Sequence, residues 1–233
     1  MPVVESERVL GVDACRAGWI GIALTGQNCR AYVAGAISEL VAKAETDGPL
    51  AVVAIDMPIG LPERGHRQAD VLAKKVIGVL RSSVFMTPTR DAMEAPDHRT
   101  ASARNRALTG EGISVQAFSL KPKLHQVQQW VRQTHHRVVE VHPEVSFAQL
   151  AGAALTVRKS TWAGAECRRR LLADAGVLLA GELDEAGRLS AVDDVLDAAV
   201  AAWTARRVLL GQAHPRPDPP EIFSDGLPCA IWS

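Results

Sequence analysis

Two carboxylates in the chain stand where chemistry is commonly done. Asp13 follows Gly11-Val12 at the end of an apolar, β-branched run, and Asp56 follows Ala54-Ile55 at the end of the run Leu50 to Ile55. If the two runs are neighbouring strands, both side chains leave one sheet edge, where two anions forced together are costly unless a cation neutralises them. A third acid, Glu140, lies within the apolar run Val138 to Val141, and Glu144 follows within one helical turn. Asp194 and Asp197 are three residues apart in a helical pattern and share a face that continues through Ala198, Ala201 and Ala205. Small residues there would let the helix approach a sheet closely enough for short Asp side chains to reach an ion. Hard divalent cations take such oxygen ligands, and a pair of them roughly 4 Å apart activates water and steadies the leaving oxygen in phosphodiester cleavage. The expected metal set is therefore Asp13, Asp56, Glu140 or Glu144, and Asp194 with Asp197, holding Mg²⁺ or Mn²⁺, with Asp13, Asp56, Glu140, Asp194 and Asp197 as the catalytic acids. Asp193 has a simpler role, since Ser190 and Asp193 match a capping box.

Cationic and hydroxyl groups that could grip a phosphate lie mostly between these acids. Ser83, Thr87 and Arg90 form a hydroxyl-rich turn with a guanidinium suited to bidentate phosphate contact. Lys121, Lys123 and His125 follow, and Lys159 sits in a loop before a later helix. Ser83, Thr87, Arg90, Lys123 and Lys159 are the expected substrate contacts. Tyr32 is the one tyrosine and aromatic residues make up 4% of the chain, which argues against base stacking on an aromatic platform. Cys15, Cys29, Cys167 and Cys229 form no CxxC pair and have no histidine at zinc-ligand spacing, so they read as free thiols, Cys15 as a small buried residue.

The elements that must position these groups follow from apolar patterning. Arg8 to Asp13, Trp19 to Leu24 and Arg30 to Gly35 read as strands joined by loops too short for a parallel crossover, hence an antiparallel meander. A helix over Ser38 to Lys43 precedes Leu50 to Ile55, whose unbroken apolar run is that of a strand buried on both faces. Helical patterns then span His66 to Val79, Asp97 to Leu108 and Ser114 to Gln133, the last interrupted by Pro122. A strand over Arg137 to Val141 leads into a helix that Pro143 can start. Further helices cover Ala165 to Ala175 and Ser190 to about Leu210. The stretch Pro215 to Pro220 reads as a stiff extended linker to a short terminal piece. The organisation expected is one domain over residues 1–233, with a helical insertion at about 61–136 and a Pro-rich tail at about 212–233.

Charge is uneven along this plan. The net charge is zero, yet residues 61–137 carry thirteen basic and six acidic side chains, between two segments in which acids prevail. A basic stretch between acidic ones suits a metal site with a phosphate-gripping flank. No apolar run approaches the roughly 20 residues of a membrane span, and Met1 to Leu10 lacks the basic start and apolar stretch of a secretory leader. A cytoplasmic protein without membrane contact is expected.

The strings Gly11-Val-Asp-Ala-Cys-Arg-Ala-Gly-Trp19, Ala54-Ile-Asp-Met-Pro-Ile-Gly-Leu-Pro62, Ser83-Val-Phe-Met-Thr-Pro-Thr-Arg90, Glu140-Val-His-Pro-Glu144 and Asp193-Asp-Val-Leu-Asp-Ala198 closely resemble the domain-of-unknown-function family 429. The resemblance spans about Leu10 to Leu210. It implies a ribonuclease-H-like α/β fold, three antiparallel strands followed by parallel ones and flanked by helices, and a nuclease acting on structured DNA or RNA. The acidic layout also looks like that of RuvC-type resolvases, which implies metal ligation by Asp13, Asp56, Asp194 and Asp197 and a possible homodimer; Asp56 stands where resolvases usually carry the longer Glu. Two other readings are compatible with the sequence: a small-molecule phosphotransferase or phosphohydrolase of actin-like kinase ancestry, and a non-catalytic nucleic-acid-binding protein.

Overall fold

The computed structural model describes residues 7–233; the leader reading of Met1 to Leu10 falls largely on residues 1–6, outside them. The opening meander comprises β1 (Arg8–Cys15), β2 (Gly18–Thr25) and β3 (Asn28–Ala34), followed by α1 (Ile37–Glu45) and β4 (Leu50–Ile55). Between β4 and β5 (Arg137–Glu140) lie α2 (Gln68–Val76), a 3-10 turn over Gly78–Ser83, α3 (Arg90–Glu94), α4 (His98–Thr109), α5 (Val115–Ser119) and α6 (Lys121–Gln133). Then come α7 (Pro143–Ala151), α8 (Trp162–Asp174), α9 (Asp184–Leu189), α10 (Val192–Leu209), β6 (Pro215–Ile222) and β7 (Pro228–Trp232). Pro122 starts α6 rather than interrupting a longer helix: it occupies the first turn, where its missing N–H has no partner to lose. Among the described residues no helix is long and apolar enough to cross a membrane.

The strands form one sheet in the order β3-β2-β1-β4-β5-β7-β6. β1, β2 and β3 pair antiparallel, β4 and β5 run parallel to β1, and β7 is parallel to β5. The antiparallel meander, the parallel strands beside it and the helices on both faces make this a ribonuclease-H-like α/β fold. The Pro-rich tail differs from its expected role as a linker. It supplies β6, an outermost strand where prolines lose no ladder hydrogen bond, and its pairing with β7 is irregular between Arg216 and Glu221.

Strand alternation divides the core between the two faces. Leu10, Val12, Val53 and Ile55 pack with α1 and α6 through Leu40, Val41, Leu124 and Val127. Val9, Val52, Ala54, Val139 and Val141 face α10 and its run of buried alanines. Gly11 lies on this second face, and a Cβ built on it would stand 1.9 Å from the backbone nitrogen of Ala202 and 2.2 Å from the carbonyl oxygen of Ala198. Sheet and helix backbones therefore meet with no side chain between them, which Gly11 and the small side chains of α10 permit.

This contact is open to a direct test. Gly11→Ala must displace backbone, so it should destabilise the protein by at least ~3 kcal/mol, the upper range of ordinary overpacking, in urea unfolding. A loss below about 0.5 kcal/mol, the scale of a neutral surface change, would show that α10 does not press on β1 as described.

Candidate active site

The register of β1 on β4 decides where the acids meet. Val12 lies beside Ile55, and the Asp56 amide donates to the Val12 carbonyl at 2.9 Å, so Asp13 and Asp56 emerge side by side at the C-terminal ends of two parallel strands. Both follow the alternation that faces α10. Asp197, in the second turn of α10, meets them there, and one carboxylate oxygen from each of the three lies within 4.8 Å of the others. Asp13 and Asp197 are buried, whereas Asp56 keeps part of its surface open to a cleft of about 240 Å³.

Holding three carboxylates in so little space perturbs them all. Burial, then the neighbouring Asp56 and Asp197, push the Asp13 carboxyl well above its usual range. Burial and the Asp197 charge raise Asp56 to about 8, and burial lifts Asp197 to about 6 against the attraction of Lys159. Lys159 is the cation inside the cluster: its ammonium bonds Asp197 Oδ2 and lies 3.8 Å from Asp193 Oδ2. Its own pKa is raised by these carboxylates in spite of burial. Even so, Asp197 Oδ1 is buried with no hydrogen-bond partner.

Other expected acids lie apart from the trio. Glu140 falls on the opposite alternation of β5 from Val139 and Val141, and its oxygens accept from the Arg67 guanidinium at 2.7 and 2.9 Å and from the Ile59 amide at 2.6 Å. Arg67 also binds Asp70, so a buried Asp70–Arg67–Glu140 chain forms one wall of the cleft. This full set of donors accounts for Glu140 without a metal. Glu144, at the start of α7, receives both its hydrogen bonds from buried Arg168, at 2.6 and 2.7 Å, and is likewise spoken for. Asp194 lines the cleft but accepts from the Ala191 amide at 3.2 Å, an N-terminal cap of α10. The capping residue is thus Asp194 rather than Asp193, because the helix begins at Val192, later than Ser190 suggested.

The expected phosphate contacts divide in the same way. Ser83, Thr87 and Lys159 line the cleft; Thr87 donates its amide to Asp70 at 2.8 Å. Arg90 instead binds Asp225 at 2.6 Å and the Leu61 carbonyl, tying the β6–β7 turn to the segment after β4. Lys123 donates to the carbonyls of Cys15 and Gly18 beneath the β1–β2 turn and covers the Trp19 ring. Both are structural in this arrangement. Four cleft residues escaped the sequence reading. Arg67 and Asp70 sit three apart, a spacing that signals a helical ion pair without revealing Glu140 as its third member. His142, held near neutral form by burial that lowers its pKa to about 4, and Phe85, 37% exposed, stood in strings already noted for other residues.

A family model described as "Protein of unknown function (DUF429)" matches residues 11–222. The chain belongs to the DUF429 family. No curated protein and no solved structure matches it. The span shared with DUF429 includes every lining acid of the cleft and most of the sheet, β1 through β6, so site and scaffold belong to the family together.

The raised carboxyls give this DUF429 chain a pH signature. In metal-free protein the folded state holds protons on the trio that the unfolded chain releases near pH 4, so their stabilising share is complete below that pH and is lost as pH rises through about 6 and 8. His142 acts oppositely, but only between about pH 4 and its ordinary 6.5. Above pH 6.5 the carboxyls alone remain, and the melting temperature in EDTA should fall from pH 6.5 to 8.5. Mn²⁺ should restore it, and more at pH 8.5 than at 6.5. A flat profile unaffected by Mn²⁺ in differential scanning calorimetry would contradict the clustering of the trio.

Proposed function

We propose that this protein is a divalent-metal-dependent nuclease that hydrolyses phosphodiester bonds, with Asp13, Asp56 and Asp197 as the ligands of Mg²⁺ or Mn²⁺. The observation that carries the reading is the trio itself. Three carboxylates from β1, β4 and α10 converge within 4.8 Å, with a single lysine among them and an oxygen of Asp197 left without a partner. An all-oxygen, anionic donor set of this kind fits a hard divalent cation, and the raised pKa values measure how strongly the site wants positive charge. When bound, such ions supply activation of water and stabilisation of the leaving oxygen.

The chain's own groups supply the rest. Lys159 orients Asp197 and keeps a positive charge at the cleft, where a phosphate oxygen can use it. The Asp70–Arg67–Glu140 chain stiffens one wall, so Thr87, whose hydroxyl also reaches Asp70 at 3.3 Å, is fixed in place. His142 keeps a neutral imidazole on the cleft lining, with its buried Nδ1 free of any hydrogen-bond partner among the described residues. Few as the aromatic residues are, and against the expectation drawn from their number, Phe85 lines the cleft half-exposed, and with Lys75 and Arg81 exposed on the segment leading to it suits one base and the backbone of a strand lying across the opening.

Cleft size favours a polymer over a small phosphoester. At about 240 Å³ the cleft is below the ~300–1,000 Å³ of pockets that enclose a whole small ligand. It admits a scissile phosphate and its ions while the rest of the substrate stays outside.

The reading is tested by Mg²⁺- and Mn²⁺-dependent cleavage of duplex, single-stranded, branched and RNA–DNA hybrid substrates. Asp13→Asn and Asp56→Asn should each lose about 10–100-fold or more, as expected when metal affinity is damaged. Phe85→Ala should raise KM with little change in kcat, by the ~1–3 kcal/mol that stacking one base is worth. Failure of the wild type to cut any substrate, or full activity in both Asp variants, would overturn the nuclease assignment.

A further inference from the structure

A second cluster of ligand-type groups lies at the opposite end of the sheet from the acidic cleft. Glu45 ends α1, and His135 and His136 occupy the turn between α6 and β5, at the N-terminal end of a strand whose other end approaches the cleft. One donor atom from each of the three lies within 4.8 Å of the others. His136 Nε2 and Glu45 Oε1 share a hydrogen bond of 2.9 Å, so the two groups already face each other and an ion entering between them would replace the shared proton. The other ring nitrogen, Nδ1, is 2.6 Å from the Thr134 hydroxyl. Once a cation takes that proton's place, Nδ1 can carry the proton and donate to Thr134, which leaves Nε2 its lone pair for the ion; a metal-binding histidine is commonly oriented by such a partner on its second nitrogen.

Two further features point to a cation here. Glu45 is an anion in the last turn of a helix, where the backbone dipole disfavours negative charge and favours positive. His136 is fixed before any ion arrives: only 6% of its side chain is exposed, and it stacks on Trp130 at 6.2 Å and on His135 at 4.3 Å between ring centroids. His135, by contrast, is exposed to solvent, while one of its nitrogens already lies within 4.8 Å of the other two donor atoms.

We infer that Glu45, His135 and His136 form a binding site for a borderline transition-metal ion, Zn²⁺ foremost, which ties the last helix of the β4–β5 insertion and the start of β5 to α1. Two imidazoles and one carboxylate form a donor set typical of Zn²⁺ and unlike the all-oxygen set of the cleft. Three protein ligands leave a position for water. The site is independent of the nuclease reading and shares no residue with it.

The test uses the full chain carrying Asp56→Asn, so that the cleft does not compete, stripped with EDTA and titrated with Zn²⁺ by calorimetry and with Co²⁺ by visible absorption. One equivalent should bind, with Co²⁺ bands in the visible region. His135→Ala and Glu45→Gln should each weaken binding about tenfold or more, and Thr134→Val, which removes the orienting hydroxyl and no ligand, by about 10–100-fold. His135 is exposed, so the His135→Ala melting curve in EDTA should match that of its parent, which separates lost binding from lost folding. Absence of a bound equivalent, or affinities unchanged in His135→Ala and Glu45→Gln, would overturn the assignment.

Discussion

Helix α10 rests on β1 with backbone against backbone, and the site is a consequence of that contact. A side chain at position 11 would drive into Ala198 and Ala202, and larger residues along the buried face of α10 would lift the helix outward. An aspartate side chain is short, so an outward shift of one or two ångströms would carry Asp197 out of reach of Asp13 and Asp56. Close packing of the hydrophobic layer thereby sets the electrostatics of the cleft. The apolar burial around Val9, Val52, Ala54 and the alanines of α10 must outweigh the repulsion and desolvation concentrated where Asp13, Asp56 and Asp197 meet.

Charge is handled in two ways around this point. Away from the trio, buried acids are met by buried arginines: Glu144 by Arg168, and Glu140 and Asp70 together by Arg67. Removing one partner from such a pair strands a charge in the interior at a cost of about 3–5 kcal/mol, so these pairs fix α7 to α8 and α2 to β5. Within the trio the balance is incomplete. Lys159 offsets one anion, and three carboxylates share it. A site that takes up a cation gains by leaving that deficit, since an ion would restore the charge balance there.

Much of this was legible in the sequence because strand ends and small-residue faces leave clear marks. Asp13 and Asp56 each terminate an apolar run, and the Ala198, Ala201, Ala205 spacing announced the close approach of α10. The meander and the first parallel neighbour followed from loop lengths and from the unbroken run Leu50 to Ile55. What the sequence concealed was pairing across the chain. Glu140 looked equivalent to Asp56 until the register of β5 put it on the other face, and nothing local links it to Arg67, 73 residues earlier. Arg90 and Lys123 looked free because their partners, Asp225 and two backbone carbonyls, are distant in sequence. The prolines of 215–220 concealed a strand because they are tolerated at the sheet's outer edge.

The central claim is that Asp13, Asp56 and Asp197 are held together for a divalent ion. The most direct measurement is electron paramagnetic resonance of Mn²⁺ titrated into metal-free protein, comparing the wild type with Asp56→Asn. Binding should quench the free-ion signal in the wild type and be weakened about tenfold or more in the variant, the scale of a lost metal contact. A free-ion signal that persists in the wild type, or equal binding by the variant, would contradict the account.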